Sequence, residues 1–373
     1  MHSAREAADE VISEIEFAYR RATVPWVAVT GTNGKTTTTA LLTHLLRTGG
    51  LNVVAVGNIG FAATDALALP DVELLVAEVS SFQLALIREF HPKVAVLLNI
   101  TPDHTDWHGS LEAYTRDKTR VFANLTEDDL AVIDVDDAGS APFADVVSER
   151  GVPVVRVSTT RALAGGASGA DGVLRLETEG GEIRLLAAED LQIRGAHNVS
   201  NALAASAAAH ALGVTPAALR DGLRSFEPIE HRLEPAGVVN DVEWFNDSKA
   251  TNPDAVFKAL NAFGDRPLVV LLGGRNKGND FRPLALEVAK TAKAAVLFGE
   301  ARHELAAAFA GIDVTTVEAV GLNDAVEVAA ALAQAGDVVV LSPACASFDE
   351  FNSYEHRGDE FKRAVEALVS GVR

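Results

Sequence analysis

Apolar residues in this chain fall into short β-branched runs separated by stretches with helical spacing. Val27-Ala28-Val29-Thr30 predicts a strand over 26–30. Leu41, Leu42, Leu45 and Leu46 predict a helix over 36–48, stopped by Gly49-Gly50. The same pattern gives strands over 52–56, 73–78, 94–100 and 131–134, with helices near 82–90 and over 111–124. Ahead of them, Val11, Ile12, Ile15 and Tyr19 share a face of one amphipathic helix over 4–22. Residues 162–172, rich in Ala and Gly, read as a loop. A hairpin over 173–187 turns at Gly180-Gly181, and helices follow at 198–211 and 216–224.

Pro228 and the charged Glu230-His231-Arg232 mark a boundary, after which the alternation restarts. A hairpin over 233–246 turns at Asn240-Asp241. Strands at 268–272, 294–298 and 337–341 then alternate with helices at 253–263, 282–291, 301–310, 322–334 and 357–369. Short apolar strands between helices predict parallel sheets covered on both faces. The expected class is α/β: a P-loop-type parallel-sheet central domain over 23–228, then a Rossmann-like C-terminal domain over 229–373. Residues 1–22 stand outside both as a linker.

The phosphate-loop part of that expectation rests on Gly31-Thr32-Asn33-Gly34-Lys35-Thr36-Thr37, set between the first strand and its helix. Such a turn aims backbone N–H groups and a helix dipole at one point, which suits an anion. Lys35 adds a fixed positive charge, and Thr36 or Thr37 suits a Mg²⁺ ion. The usual longer spacing fails, because Val29 stands where its first glycine belongs.

Composition narrows the ligand. The chain of 373 residues is 48% hydrophobic and carries a net charge of −20, a surface that repels nucleic acid and acidic membranes. Basic residues are therefore expected to be concentrated at a site. One cysteine, Cys345, allows no internal disulfide and fits a reducing cytosol. The first residues are charged where a signal peptide is apolar, and no run reaches about 18 apolar residues. A cytoplasmic monomer is expected, with neither nucleic acid nor membrane as partner.

Further polar residues sit at expected strand ends, where open α/β sheets bind ligands. Glu78 closes an apolar strand and opens Glu78-Val79-Ser80-Ser81-Phe82-Gln83-Leu84, a position suited to a Mg²⁺ ligand. His104 in Asp103-His104 reads as a second metal ligand or as an ordinary loop histidine, and Asn58 in Gly57-Asn58-Ile59-Gly60 is equally open. Lys118, on an expected helix, reads by itself as a solvated side chain. Asn198 and Asn201 share a helix face and suit a purine edge, while Asn198 also suits a cap. In the second half, three polar stretches follow three strands: Asn246-Asp247-Ser248-Lys249-Ala250-Thr251-Asn252, Gly273-Gly274-Arg275-Asn276-Lys277-Gly278 and Ser342-Pro343-Ala344-Cys345-Ala346-Ser347.

In these motifs, together with Tyr114 to Lys118, Gly195 to Asn201 and His231-Arg232, the chain resembles the Mur ligases over nearly its whole length. The stretch running on from Ser342 through Phe348-Asp349-Glu350-Phe351, with Glu78 to Leu84, resembles the branch that adds D-glutamate. The resemblance implies that ATP phosphorylates the carboxylate of UDP-N-acetylmuramoyl-L-alanine and that the amine of D-glutamate attacks the acyl phosphate. Lys35 and Thr36 would meet the γ-phosphate and a first Mg²⁺, Glu78 and Ser80 the metals, and His104 a second Mg²⁺. The family's lysine at Lys118 is carbamylated, which reverses the bland reading of that residue. Asn198 and Asn201 would meet adenine, and Arg232 and Asp247 phosphate or ribose. Asn58, Ser80, Gln83 and Thr251 fall at substrate positions. Lys249, Lys277, Ser347 and Tyr354 would form the D-glutamate pocket, where two lysines suit two carboxylates. Tyr354 stands where phenylalanine is common.

The family also carries an N-terminal UDP-binding domain of roughly a hundred residues. Residues 1–22 resemble only its last helix and linker, so the start is expected to be cut, mis-assigned or naturally short. The phosphate loop and the Lys249/Lys277 pocket fall in different expected domains, so opening and closing is expected. Two alternatives stand beside this reading: a sister ligase, such as another Mur enzyme or a folylpolyglutamate synthase, and an ATP-binding fragment without ligase activity.

Overall fold

The structure, a computed structural model, describes residues 10–59, 61–193, 195–227, 230–264 and 266–371. Gly60, Pro228 and the opening of the expected 4–22 helix lie outside them. The chain divides into two compact units, one comprising Met1–Gln192 with Ala196–Phe226, the other Glu227–Arg373 with Ile193–Gly195.

The first unit runs α1 (Glu14–Tyr19), β1 (Trp26–Thr30), α2 (Lys35–Thr48), β2 (Val53–Gly57), α3 (Ala63–Ala66), β3 (Leu74–Glu78), α4 (Ser81–Leu84) and β4 (Val94–Leu97). It continues with α5 (Thr105–His108), α6 (Leu111–Thr119), β5 (Leu130–Asp134), α7 (Pro142–Ser148), β6 (Val154–Ser158), β7 (Ala167–Ser168), β8 (Val173–Thr178) and β9 (Gly181–Ala187). Helices α8 (Ala196–Ala211) and α9 (Pro216–Ser225) close it. Its sheet has the order β2-β3-β1-β4-β5-β6-β7-β8-β9, parallel as far as β7 and antiparallel beyond.

Strand β1 lies between β3 and β4, all of it buried, which is why its sequence is apolar without alternation. From β1 the chain returns through α2 to β2 on one side, while β4 runs on to β5 on the other. The carboxyl ends of β1 and β4 therefore flank a switch point, where such sheets bind ligands. In the register of the sheet Val29 faces Glu78 and Thr30 faces Leu97, so Glu78 arrives beside the glycine turn. The leucines of α2 are fully buried against α8 and α9.

The second unit runs β10 (Glu234–Val239), β11 (Val242–Asn246), α10 (Pro253–Asn261), β12 (Leu268–Gly273), α11 (Arg282–Thr291) and β13 (Ala294–Phe298). It ends with α12 (Arg302–Phe309), β14 (Thr315–Glu318), α13 (Leu322–Leu332), β15 (Val338–Ala344) and α14 (Tyr354–Ser370). Its sheet order is β10-β11-β15-β12-β13-β14, with only the β10/β11 hairpin antiparallel. Asn240 and Asp241 both have positive φ, the conformation that a two-residue hairpin turn requires. Among the described residues, no helix is long and apolar enough to cross a membrane.

Three helices differ from the pattern. The helix expected near 82–90 stops at Leu84, because the N–H groups of Arg88, Glu89 and Phe90 donate to the Glu16 carboxylate instead of to helix carbonyls. The helix over 111–124 stops at Thr119 and tightens into a 3₁₀ turn at Arg120–Phe122. Within the described part of the expected 4–22 helix, the helix runs from Glu14 to Tyr19, capped by Ser13. Elements α3, α5, α7, β6, β7 and β14 were absent from the pattern.

Glu16 is fully buried, and Arg20 pairs with it at 2.8 Å. Burial pushes its pKa up, but the three backbone donors and Arg20 outweigh that and leave it below the usual carboxylate range. Glu16→Ala strands those donors and is expected to lower the unfolding free energy by about 3 kcal/mol in urea titration. A loss under ~0.5 kcal/mol would contradict this anchoring role.

Candidate active site

In the first unit, the glycine turn is held by the loop after β4 on one side and α6 on the other. Gly34 has φ +84°, and a side-chain carbon there would come within 2.5 Å of Asn201 Oδ1. Only glycine fits both demands. The Thr32 N–H donates to the Asn99 carbonyl, the Asn33 N–H donates to Asn99 Oδ1 at 2.8 Å, and Asn99 Nδ2 donates back to the Asn33 carbonyl. Thr32 Oγ1 lies 2.9 Å from the Tyr114 hydroxyl, and Thr30 donates to the Val79 carbonyl. The turn is thus fixed before the helix begins. The first N–H groups of α2 have no acceptor within the helix, so they and the helix dipole favour an anion there.

Both lysines converge on this turn. Lys35 Nζ donates to the Gly31 and Thr32 carbonyls at 2.9 Å, and Lys118 Nζ donates to the Gly31 carbonyl at 2.9 Å. Lys118 is 1% exposed and sits 4.7 Å from the Tyr114 ring centroid. Burial, then the charge of Lys35, hold its pKa well below the usual lysine range, while Asp103 pulls the other way. A lysine that reads as a solvated helix face is in fact the buried floor of the turn.

Glu78 is 3% exposed, and its Oε2 has no hydrogen-bond partner. A buried carboxylate oxygen left unpaired is costly, and a hard cation would satisfy it. This fits a Mg²⁺ ion, with Thr36 buried on the adjoining helix. His104 lies at positive φ, half exposed, with Nε2 3.5 Å from Asp103 Oδ2. Among the described residues no three His, Cys, Asp or Glu side chains cluster as a metal site. Mg²⁺ commonly completes its shell with phosphate and water.

Other expected residues are engaged locally. Ser80 and Gln83 form a capping box on α4, with the Gln83 N–H donating to Ser80 Oγ and the Ser80 N–H to Gln83 Oε1. Asn58 is exposed, and its N–H donates to the Glu78 carbonyl. Asn201 Nδ2 donates to Asn198 Oδ1, both side chains are buried, and Asn201 packs on Gly34. Thr37 is buried on α2.

In the second unit the three polar stretches leave β11, β15 and β12, which are neighbours in that order. Arg357, fully buried on α14, ties all three together. It donates to Ser248 Oγ and the Ser248 carbonyl after β11, to the Cys345 carbonyl after β15, and to the Gly273 carbonyl of β12. Burial lowers its pKa to about 10, so it keeps its charge at neutral pH. Lys249 Nζ lies 5.2 Å from the Tyr354 ring centroid, and Ser248 Oγ donates to the Tyr354 carbonyl. Ser347 is buried, Lys277 is exposed on the loop after β12, and Thr251 precedes α10. Asp349 and Glu350 have structural work: they accept from the Glu300 and Leu322 N–H groups.

Two family profiles cover this arrangement: the Mur ligase middle domain matches residues 29–209, and the Mur ligase glutamate ligase domain matches residues 231–345. The chain belongs to the Mur ligase family. It is thus an ATP-dependent ligase of the peptidoglycan-precursor class, in a family that usually uses Mg²⁺. The chain is similar to the UDP-N-acetylmuramoylalanine–D-glutamate ligase of Pelotomaculum thermopropionicum, 44% identical over 97% of this chain and 79% of the relative. The enzyme of that name from Salinibacter ruber is 41% identical over 99% of this chain and 82% of the relative. Among solved structures, the UDP-N-acetylmuramoylalanyl-D-glutamyl-2,6-diaminopimelate–D-alanyl-D-alanyl ligase of Acinetobacter baumannii covers 95% of this chain and 78% of its own, at TM-score 0.71 and 19% identity. E. coli FolC covers 98% of this Mur ligase and 95% of itself, at TM-score 0.69 and 18% identity. These two share the fold.

Arg357, and the buried His108 side chain bonded to Asp117 and Ser81, are residues that sequence reasoning did not single out. Neither stands in a glycine turn or at a strand end, so only their burial reveals them.

Asp247 gives a pH test. Burial raises its carboxyl to about 7, against the pull of the Ser342 hydroxyl at 2.8 Å and of the Arg232 charge. A raised acid stabilises the fold fully below its unfolded value of about 3.9, and that contribution is lost as pH rises towards 7. Asp247→Asn cannot ionise, so its melting temperature relative to wild type is expected to be higher at pH 8 than at pH 4.5. An offset independent of pH would contradict the shift.

Proposed function

We propose that the chain joins D-glutamate to UDP-N-acetylmuramoyl-L-alanine at the expense of ATP. The observation that carries the phosphoryl half is the Gly34 turn heading a buried helix, with Lys35 folded onto its carbonyls. The names of the similar ligases supply the acceptor and the amino acid. A substrate carboxylate oxygen attacks the γ-phosphorus of ATP and ADP leaves, giving an acyl phosphate. The D-glutamate nitrogen then attacks the carbonyl carbon, the C–O bond to phosphate breaks, and the nitrogen loses a proton.

Within this reading Lys35 and the α2 N-terminus bind the γ-phosphate, with Gly31, Thr32, Asn33, Thr36 and Thr37 shaping the turn. Glu78, Thr36 and His104 would hold Mg²⁺, which would neutralise phosphoryl charge when bound. Asn198 and Asn201 are assigned to adenine by the family resemblance, and Arg232 and Asp247 to ribose or phosphate. Lys249, Lys277, Thr251, Ser347 and Tyr354 bind D-glutamate, and Asn58, Ser80 and Gln83 border the muramoyl substrate. The setting is cytoplasmic and the working form a monomer.

Lys118 carries a carbamate in this reading. Its burial and its nearness to Lys35 favour the uncharged amine, whose nitrogen can attack CO₂, form an N–C bond and lose a proton. The product is an anion, so a repulsive pair with Lys35 becomes an attractive one.

ADP release with wild-type protein, ATP and UDP-N-acetylmuramoyl-L-alanine is expected to require D-glutamate and to produce the amide. Preference for L-glutamate, L-alanine or diaminopimelate would assign a sister ligase, and ATP binding without amide product would leave only a nucleotide-binding chain. Lys35→Ala is expected to lower kcat by about 10³, and an unchanged rate would remove the phosphate-loop assignment. Lys118→Ala is expected to lose activity that acetate or bicarbonate partly restores. A fully active variant indifferent to both would exclude the carbamate.

A further inference from the structure

A largely buried chain of three side chains joins two of the elements that carry the first unit's site. His108 closes α5, and its side chain has no exposed surface. Its Nδ1 lies 2.9 Å from Asp117 Oδ2, and its Nε2 lies 3.0 Å from Ser81 Oγ. Asp117 precedes Lys118 on α6, while Ser81 opens α4, three positions after Glu78. The imidazole therefore spans from the helix holding Lys118 to the segment holding Glu78.

Three rings fix the imidazole in place. It is stacked on Phe82, with centroids 5.5 Å apart and planes 14° from parallel. It meets Tyr114 edge-on at 5.3 Å and Trp107 at 4.3 Å. Rotation about its own axis would break both hydrogen bonds. An ionised carboxylate only accepts, so Nδ1 carries the hydrogen towards Asp117. In the neutral ring Nε2 is then an acceptor, and the Ser81 hydroxyl donates to it. Arg116, mostly exposed, is the charged neighbour on the far oxygen of Asp117, at 3.5 Å.

We propose that His108 and Asp117 are positioning residues. Asp117 sets the tautomer of His108, and His108 pins Ser81, so that the segment 78–83 keeps its place against the helix that carries Lys118. The strand end before α4 is tied down by the Thr30 hydroxyl and the Val29 carbonyl at Val79 and by the Asn58 N–H at Glu78, whereas α4 itself is a single four-residue turn with a capping box, and His108 adds a side-chain brace at Ser81. A small slip of this segment moves the Glu78 carboxylate, and misplacement on the scale of an ångström is enough to cost about a hundredfold in rate. The proposal rests on the reading of Glu78 and Lys118 as parts of one site.

Nitrogen-15 NMR of the histidine-labelled chain reads the tautomer directly. The wild type is expected to show His108 with a protonated Nδ1 and a bare Nε2, and Asp117→Asn is expected to mix the two forms. In amide hydrogen exchange, Asp117→Asn and Ser81→Ala are both expected to speed exchange over 79–84 and to leave β12 unchanged. Each variant is expected to lose kcat by about tenfold, a coupling-sized effect. The double variant is expected to be no slower than the worse single one, because both break one chain, and KM for D-glutamate should stay the same. A protonated Nε2 in the wild type, or losses that multiply in the double variant, would overturn the proposal without any need for the variants to fold equally well. Glu78→Gln separates the two layers. If it is inactive while both variants keep wild-type rates, the positioning proposal alone falls; if it is fully active, the site reading falls first.

Discussion

A single main-chain oxygen, that of Gly31, accepts from two lysines, and this arrangement organises the first unit. Two ammonium groups on one carbonyl would repel, and one of the two lysines is shielded from water. Burial, and after it the charge of Lys35, disfavour the cationic form of Lys118, while Lys35 and the start of α2 keep the turn attractive to negative charge. Glu78, buried with an unpaired oxygen on the neighbouring strand, supplies the opposite demand for a cation. Phosphate with Mg²⁺ would answer both at once. The Asn99 clamp and the Thr32–Tyr114 contact keep the turn in shape, so neither demand can be met by simple collapse of the loop.

The second unit solves a related problem with the opposite economy. Three loops leave three adjacent strands, and each must hold polar groups at a fixed spacing. One guanidinium, with four hydrogen bonds to the main chain and to Ser248, joins them. A planar five-donor fork suits the task in a way that lysine's single ammonium does not. The glycines at 273 and 274 allow the close approach, since a side-chain carbon at either would come within about 2.2 Å of a carbonyl oxygen.

The parts that were legible in the sequence share a physical cause. Fully buried parallel strands demand continuous apolar runs, so β1, β3, β4, β12 and β15 stood out, and the chemistry followed at their carboxyl ends. What was hidden needed three dimensions. Pro153 and Arg156 interrupt the run around β6, and β14 is a short, half-polar edge. The truncation of the 82–90 helix follows from a carboxylate more than seventy residues away. Ser80 and Gln83 show the limit from the other side: their three-residue spacing is also a helix-start signature, and the structure shows them as a capping box. Lys118 gave no sign of burial in its own helix, and only the resemblance lifted it above a surface lysine.

The central claim is that the Gly31–Lys35 turn and Glu78 together hold a magnesium triphosphate. Crystallography of the chain with Mg²⁺ and a non-hydrolysable ATP analogue tests it most directly. The account predicts the γ-phosphate at the start of α2, against Lys35, with the metal on the free oxygen of Glu78. Phosphates bound elsewhere, or a Glu78 carboxylate without a metal, would contradict it.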